Sequence, residues 1–261
     1  MSDRPVAFRG GGFELRKRPL ASWLAFACVL GAWELAAVSG RLPRLFVPAP
    51  HEVALALWRL LVSGQLLQHL TASLRRIALG WALGTLCGMA LGFAMGVWSL
   101  ARATGLPLIA ALFPIPKIAL LPLFILWFGL GEPSKVATIA LGVFSPTVIS
   151  TFSAVDAVPR NLIRMAQSFG LPTSQIVRSV IVPGSLPGIL AGFRISTSIA
   201  LILLVSAEMI GAQVGIGAFV LAAGNLMQTD QLLAGVAVLS LLGLLTSWLL
   251  GVIERRVLRW R

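Results

Sequence analysis

The chain has 261 residues, of which 57% are hydrophobic and only 11% charged, with a formal net charge of +12. Soluble domains carry about 25% charged residues, so this composition excludes a water-soluble globular protein. The positive charge does not mark a nucleic-acid binder either, because Lys and Arg gather in short segments between apolar runs and not on one soluble face.

Apolar runs of about 20 residues recur, the length that crosses roughly 30 Å of hydrocarbon. The expectation is an all-α polytopic membrane protein with about six transmembrane helices. Residues 1–19 are polar and basic and read as a cytoplasmic N-terminal tail, followed by a single transmembrane domain over 20–261. The first helix is expected over Leu20 to Val38. It lacks a small-residue cleavage pattern after a short core and reads as a retained anchor. Glu34, near its outer end, reaches water. Residues 39–73 form an outer segment. Within it His51 to Leu70 reads as an amphipathic helix with a turn at Ser63-Gly64. His51 and His69 are too isolated for a metal site and read as solvated. Cys28 and Cys87 lie in apolar runs without metal-ligand spacing and read as small packing residues.

The second helix, Leu74 to Leu100, contains a glycine ladder: Gly80, Gly84, Gly88, Gly92 and Gly96. A four-residue step turns a helix by about 400°, so the glycines drift by about 40° each and form an inclined groove. That is an i±4 row able to receive a neighbouring helix, and small residues let backbones approach in lipid. The seam lies either within the subunit or at a subunit twofold. The third helix lies within Gly105 to Leu130, interrupted by Pro114 and Pro116. Lys117 follows these prolines. It either presents a cation to an anionic substrate near mid-membrane or snorkels to lipid head groups.

The fourth helix is expected over Pro133 to Ser153. Residues 154–185 form a cytoplasmic loop in which Leu162, Met165, Ala166 and Phe169 recur at i, i+3, i+4 and i+7, one face of a short helix. Gly170-Leu171-Pro172 breaks it, and Ile176, Val177 and Val180 begin a second apolar face. Two apolar faces on the aqueous side predict a docking element; Gly170 taken alone reads as a helix C-cap. The fifth helix, Leu186 to Ile210, holds Arg194, which snorkels or pairs at a subunit seam, and Glu208. Glu208 either faces the pathway or the outer gate, or reaches the interface with the following GAQVGIG loop hydrogen-bonding it. Asn225, Gln228 and Asp230 form an outer polar loop before the sixth helix, Leu232 to Ile253. Short-loop basic residues favour both termini in the cytoplasm, although Arg75 and Arg76 sit at an outer boundary.

The loop resembles the cytoplasmic EAA loop of ABC importer membrane subunits: Glu-Ala-Ala, a glycine a few residues on, and Ile-x-Leu-Pro beyond it. Arg164, Met165 and Ala166, then Gly170, then Ile181, Val182 and Pro183 occupy those positions. Arg164 stands at the Glu position, Met165 at the first Ala, and no Leu directly precedes Pro183. ASLRRIALGWALGTLCGMALGFAMG, PIPKIALLPLFILWFGLGEPSK, AEMIGAQVGIGAFVLAAG and the terminal ERRVLRWR are similar to the sulfonate, nitrate and taurine branch of these permeases. The resemblance implies a type I ABC importer permease fold in the bacterial inner membrane. It implies a second permease subunit, forming a homodimer, two ATP-binding cassette subunits that hold ATP and Mg, and an external substrate-binding protein. Arg164, Met165, Ala166, Gly170, Leu171, Ile181 and Pro183 would form the ATPase-coupling loop. No G-x-x-x-x-G-K-[ST] phosphate loop occurs in the chain, so it is not the ATPase and needs no cofactor of its own. The implied cargo is a small anion such as a sulfonate, nitrate or taurine, or alternatively a pyrimidine vitamin precursor or aromatic acid. A stand-alone ion-coupled transporter using Glu208 or Lys117 is the rival class; an internal repeat would mark it, and none is evident. An enzyme is disfavoured because the spans hold no paired carboxylates, no H-E-x-x-H and no Ser/His arrangement.

Overall fold

Glycine and proline place most of the helix ends. In the computed structural model, residues 8–9, 12–13, 19–40, 43 and 45–259 are described. Most of the predicted tail lies outside them, as do Arg41, Arg44 and Arg261 of the charge pattern. A two-residue antiparallel pair, β1 (Phe8–Arg9) and β2 (Gly12–Phe13), precedes the helices. Helix α1 covers Pro19–Val38 and α2 covers Pro50–Val62. Pro50 suits the start of α2, where its missing N–H is not needed, and the Glu52 carboxylate accepts the Ala49 N–H at 2.9 Å. Gly64 then adopts φ 75°, and α3 (Gln65–Val97) starts at the next residue. The turn at Ser63-Gly64 lies where expected, but Gln65 to Leu70 belong to α3 and not to the outer helix. Hydropathy marks where hydrocarbon begins, whereas no residue between Gly64 and Gly80 breaks the helix.

Helix α4 (Ser99–Leu112) meets a 3-10 turn, Lys117–Leu120, and α5 (Leu121–Phe128) at a bend of 85°. Pro114 and Pro116 remove two backbone donors at the bend, which ends α4. Helix α6 spans Glu132–Asp156, α7 Arg160–Ser168 and α8 Thr173–Ile176. A π turn, Val177–Ile181, leads without a break into α9 (Val182–Gly211). The second half of the predicted loop is therefore the first part of the fifth span, which runs over Thr173–Gly211. Helices α10 (Ile216–Asn225) and α11 (Thr229–Val257) complete the chain, so Asn225 and Asp230 sit at helix ends.

Among the described residues, α3, α6, the α8–α9 unit and α11 are long and apolar enough to cross a membrane, and the bent α4–α5 pair is a fifth crossing if taken as one span. Connectivity supports that count. Glu132 at the start of α6 meets Arg76 in the early turns of α3, so the chain has returned to the face where α3 begins. Helix α1, apolar over Trp23–Val38, is the remaining candidate of the predicted six.

The glycine ladder packs within the subunit, against α6. Gly80 faces Ile139 and the Val136 carbonyl, Gly84 Ala140, Gly88 Phe144 and Thr147, Gly92 Val148 and Thr151, and Gly96 Val155. Val136, Ala140, Phe144 and Val148 are themselves an i, i+4 row, so two inclined rows lie together and the helices run in the same direction. Ile77, Ile139, Val143, Ala200, Leu203 and Leu204 form the core where α9 joins this pair. Small polar side chains are buried here rather than exposed; Thr138 and Thr147 donate to the carbonyls of Ser134 and Val143, both at 2.8 Å. The outer surfaces are apolar, as Leu244, Leu245 and Trp248 of α11 show. Cys28 and Cys87 are both exposed, not packed as expected, because each lies on an outward helix face.

Candidate functional site

The segment 157–181 lies on the face opposite the start of α3, beside the end of α6. Helix α7 ends in two nested bonds: Gly170 N–H donates to the Gln167 carbonyl at 2.9 Å and Leu171 N–H to the Ala166 carbonyl at 3.3 Å. This is a Schellman motif, and Gly170 has the left-handed φ of 73° that it requires. Of the predicted apolar stripe, only Ala166 is buried; Leu162, Met165 and Phe169 are exposed, Phe169 by 76%. On an aqueous face this leaves an uncovered apolar ridge on a strongly amphipathic helix. Arg164, beside it, is exposed. Ile176 anchors the following turn by burial. Val182 N–H reaches the Val177 carbonyl, an i to i+5 bond. That wider turn lies immediately before Pro183, whose ring would crowd the carbonyl four residues earlier and whose nitrogen could not donate to it. Ile181 and Pro183 are thus parts of one continuous helix that leads from the loop into the bundle.

At the opposite face a charge network joins α3, α6, α9 and the α9–α10 connection. Glu208 is fully buried. Its carboxylate accepts from Ser73 Oγ at 2.7 and 3.0 Å, Arg76 Nη1 at 2.7 Å and Gly217 N–H at 2.8 Å. Arg76 also holds Glu132 bidentately, Nε at 2.7 Å and Nη2 at 2.6 Å, and donates from Nη1 to the Val214 carbonyl at 2.6 Å. A cavity of about 420 Å³ opens beside this network, lined by residues that include Arg76, Glu132, Lys135, Gln213 and Val214. Glu208 does not reach the interface, being fully buried, and its carboxylate is not part of that cavity's lining; from the GAQVGIG loop it accepts the Gly217 N–H.

Lys117 sits at the bend between α4 and α5, on a cavity of about 230 Å³ whose other lining is apolar, including Phe113, Gly142, Ile199 and Leu203. Its Nζ donates to the carbonyls of Leu112, Phe113 and Ile115 at 2.6, 2.9 and 2.9 Å. An ammonium has three protons, so all are engaged in capping the end of α4. Lys135 does the same for Leu130 and Gly131, at 2.7 and 3.0 Å. Among the described residues no group of three or more His, Cys, Asp or Glu could hold a metal.

The family described as the binding-protein-dependent transport system inner membrane component matches residues 84–259. The chain belongs to this family. As a permease of this kind it is a multi-pass inner-membrane transport subunit. It is 38% identical to the taurine transport system permease protein TauC of Escherichia coli, over 90% of this chain and 87% of that one. It is 35% identical to the putative aliphatic sulfonates transport permease protein SsuC of Bacillus subtilis, over 90% and 85%. Its fold matches a chain in a structure of inward-facing conformations of the MetNI methionine ABC transporter, with a TM-score of 0.66, 20% identity, and coverage of 75% of this chain and 97% of that one.

Several polar residues of the permease have partners that the sequence did not identify. His69 is not solvated: its Nδ1 lies 3.0 Å from both N and O of Gly215, and its ring packs against Phe219. His51 pairs with Glu34 at 2.6 Å, tying α1 to α2. Arg194 pairs with Glu254 of α11 at 2.7 Å, within the subunit. Ser73 was missed altogether. The available signal was its spacing: His69, Ser73 and Arg76 fall at i, i+4 and i+7, one stripe of α3.

Proposed function

We propose that this permease imports a small sulfonate or taurine-like anion, delivered by an external binding protein and driven by separate ATP-binding cassette subunits that hold ATP and Mg. The observation that carries the reading is the exposed ridge Leu162, Met165 and Phe169 on α7, fixed by the Gly170 cap. An exposed apolar ridge at the end of the spans marks an interaction surface, and Arg164, Met165, Ala166, Gly170, Leu171, Ile181 and Pro183 are the residues at which the sequence resembles the coupling loop of ABC importers. The continuous helix from Thr173 to Gly211 gives that loop a rigid lever to the opposite face. The loop, the end of α11 and both termini lie in the cytoplasm in this reading. A second copy of the permease completes the pathway, and two global states are biased by ATP at one end and by the loaded binding protein at the other. Lys117 contributes positive potential to its apolar cavity while capping α4, and Glu208 sets the outer end of the pathway through the network around it. The names of the relatives supply the anion class.

The test is reconstitution of the permease with its ATPase and binding-protein partners in proteoliposomes, followed by uptake of radiolabelled taurine and alkanesulfonates. ATP-dependent uptake that vanishes without the ATPase subunit is expected. Uptake without that subunit, driven by an ion gradient, would replace this reading with the secondary-transporter one.

A further inference from the structure

Irregular backbone buried away from water survives only where its polar groups find partners. The break between α9 and α10 frees the backbone of Val214 to Gly217, and side chains from one stripe of α3 meet it. His69 binds Gly215, Ser73 Oγ accepts the Ile216 N–H at 2.9 Å, and Arg76 binds the Val214 carbonyl. Glu208 accepts the Gly217 N–H from the α9 side. There is no slack in this cradle. Gly215 has φ +144°, and a Cβ there would lie 2.6 Å from Arg76 Nη1 and against the Glu208 carboxylate.

Arg76 has two unequal arms. The arm to Glu208 and Val214 is buried, and pulling it apart would strand a carboxylate of zero exposure inside the protein. The arm to Glu132 ends on a side chain that is 51% exposed, at the rim of the 420 Å³ cavity. Water can replace Arg76 at Glu132 but not at Glu208. The contact that yields is therefore the one to α6, and the segment stays with α3 and α9.

We propose that Arg76 is the positioning residue of the outer cleft: it ties the wall segment Ala212–Gly215 to the start of α6 through Glu132, and release of that one arm widens the cleft. The proposal rests on the transport reading above, with this face external. Gln213 is the exposed residue of the segment and reports its position.

The experiment uses the assembled complex in nanodiscs, with Cys28 and Cys87 replaced by Ala and Gln213→Cys introduced. The rate of labelling by a membrane-impermeant maleimide is measured without nucleotide and with ATP. In the parent, ATP changes the rate. Glu132→Gln should raise the nucleotide-free rate about fivefold, the population shift expected from losing one partly exposed ion pair, and should shrink the ATP response. Glu132→Asp should restore most of the parental behaviour. Equal rates for parent and Glu132→Gln in both states would overturn the proposal, as would a lowered melting temperature with unchanged rates. A parent that ignores ATP while Glu132→Gln still labels faster would keep the clamp and reject the transport reading. Neither effect in either protein rejects both.

Discussion

A Cβ added at Gly88 would sit 2.8 Å from the Phe144 carbonyl oxygen and 2.9 Å from Thr147 Cβ. Carbon atoms in contact prefer about 3.5–4.0 Å, so the α3–α6 seam must open by several tenths of an ångström or more. No rotamer change relieves this, because one obstructing atom is main chain of a buried helix. Overpacking of this kind costs about 1–3 kcal/mol, while alanine's better helix propensity returns about 1 kcal/mol. Gly88→Ala should therefore destabilise by up to about 2 kcal/mol, and Gly88→Val by about 3 kcal/mol because it adds bulk with little propensity gain. Gly31 on α1 is the control: nothing lies within 4 Å of its added Cβ. Gly31→Ala should be neutral or stabilising by up to about 1 kcal/mol. The assay is thermal unfolding of the purified permease in one detergent, where 1 kcal/mol is worth about 2–4 °C for a chain of this size. The expected order of melting temperatures is Gly31→Ala at or above wild type, then Gly88→Ala, then Gly88→Val. Gly88→Ala melting with Gly31→Ala, at or above wild type, would refute the argument that close approach is what these glycines provide.

Other substitutions separate docking from folding. Phe169→Glu should leave the melting temperature within about 1 °C, as exposed positions do, yet abolish co-purification with an ATPase subunit; retained co-purification would remove the ridge from the interface. Gly170→Ala forces an L residue into the left-handed region at about 1–2 kcal/mol, and should lower ATP-driven uptake more than assembly, measured as transport per hydrolysed ATP. Glu208→Ala leaves Arg76 partly unpaired in a buried site, a loss of about 3–5 kcal/mol, and should sharply reduce folded protein recovered from membranes. Lys117→Met removes the partner of three carbonyls and should lower the melting temperature by several degrees. If stability and uptake both stay normal, Lys117 is neither cap nor pathway residue.

What could be read from sequence divides by the range of the interaction. Hydropathy located the spans because lipid imposes length and composition on each segment separately. The apolar face of α7 and the break at Gly170 were legible because both are local to a few residues. The π turn before Pro183 and the uninterrupted run into α9 were not. Proline reads as a breaker, and only a wider turn in place lets the helix continue past it. Lys117 has partners that its charge did not suggest. Its charge drew attention to the membrane interior, yet its partners are carbonyls two to five residues earlier, and Lys135 repeats the arrangement. A basic residue just past a helix end was the signal for a cap.

The charge network around Arg76 was hidden for a different reason. Its signal lay across the boundary that hydropathy draws at Leu74. His69 and Ser73 were assigned to an outer segment and Arg76 to an interface, so a stripe at i, i+4 and i+7 was divided between two elements. Continued along α3, the stripe passes from Arg76 to Gly80 and becomes the glycine ladder. One helix face thus carries two chemistries in sequence: side chains that satisfy an interrupted backbone, then glycines that admit an intact one. The order follows from what α3 meets. At its start it faces the α9–α10 break, whose freed N–H and C=O groups require donors and acceptors. Deeper in, it faces the helical backbone and side chains of α6, which require only room. The ladder holds α3 against α6 from Gly80 onward, and the Arg76–Glu132 pair lies at the end of the same seam, so the opening proposed above is confined to the one contact there that is not made of glycine.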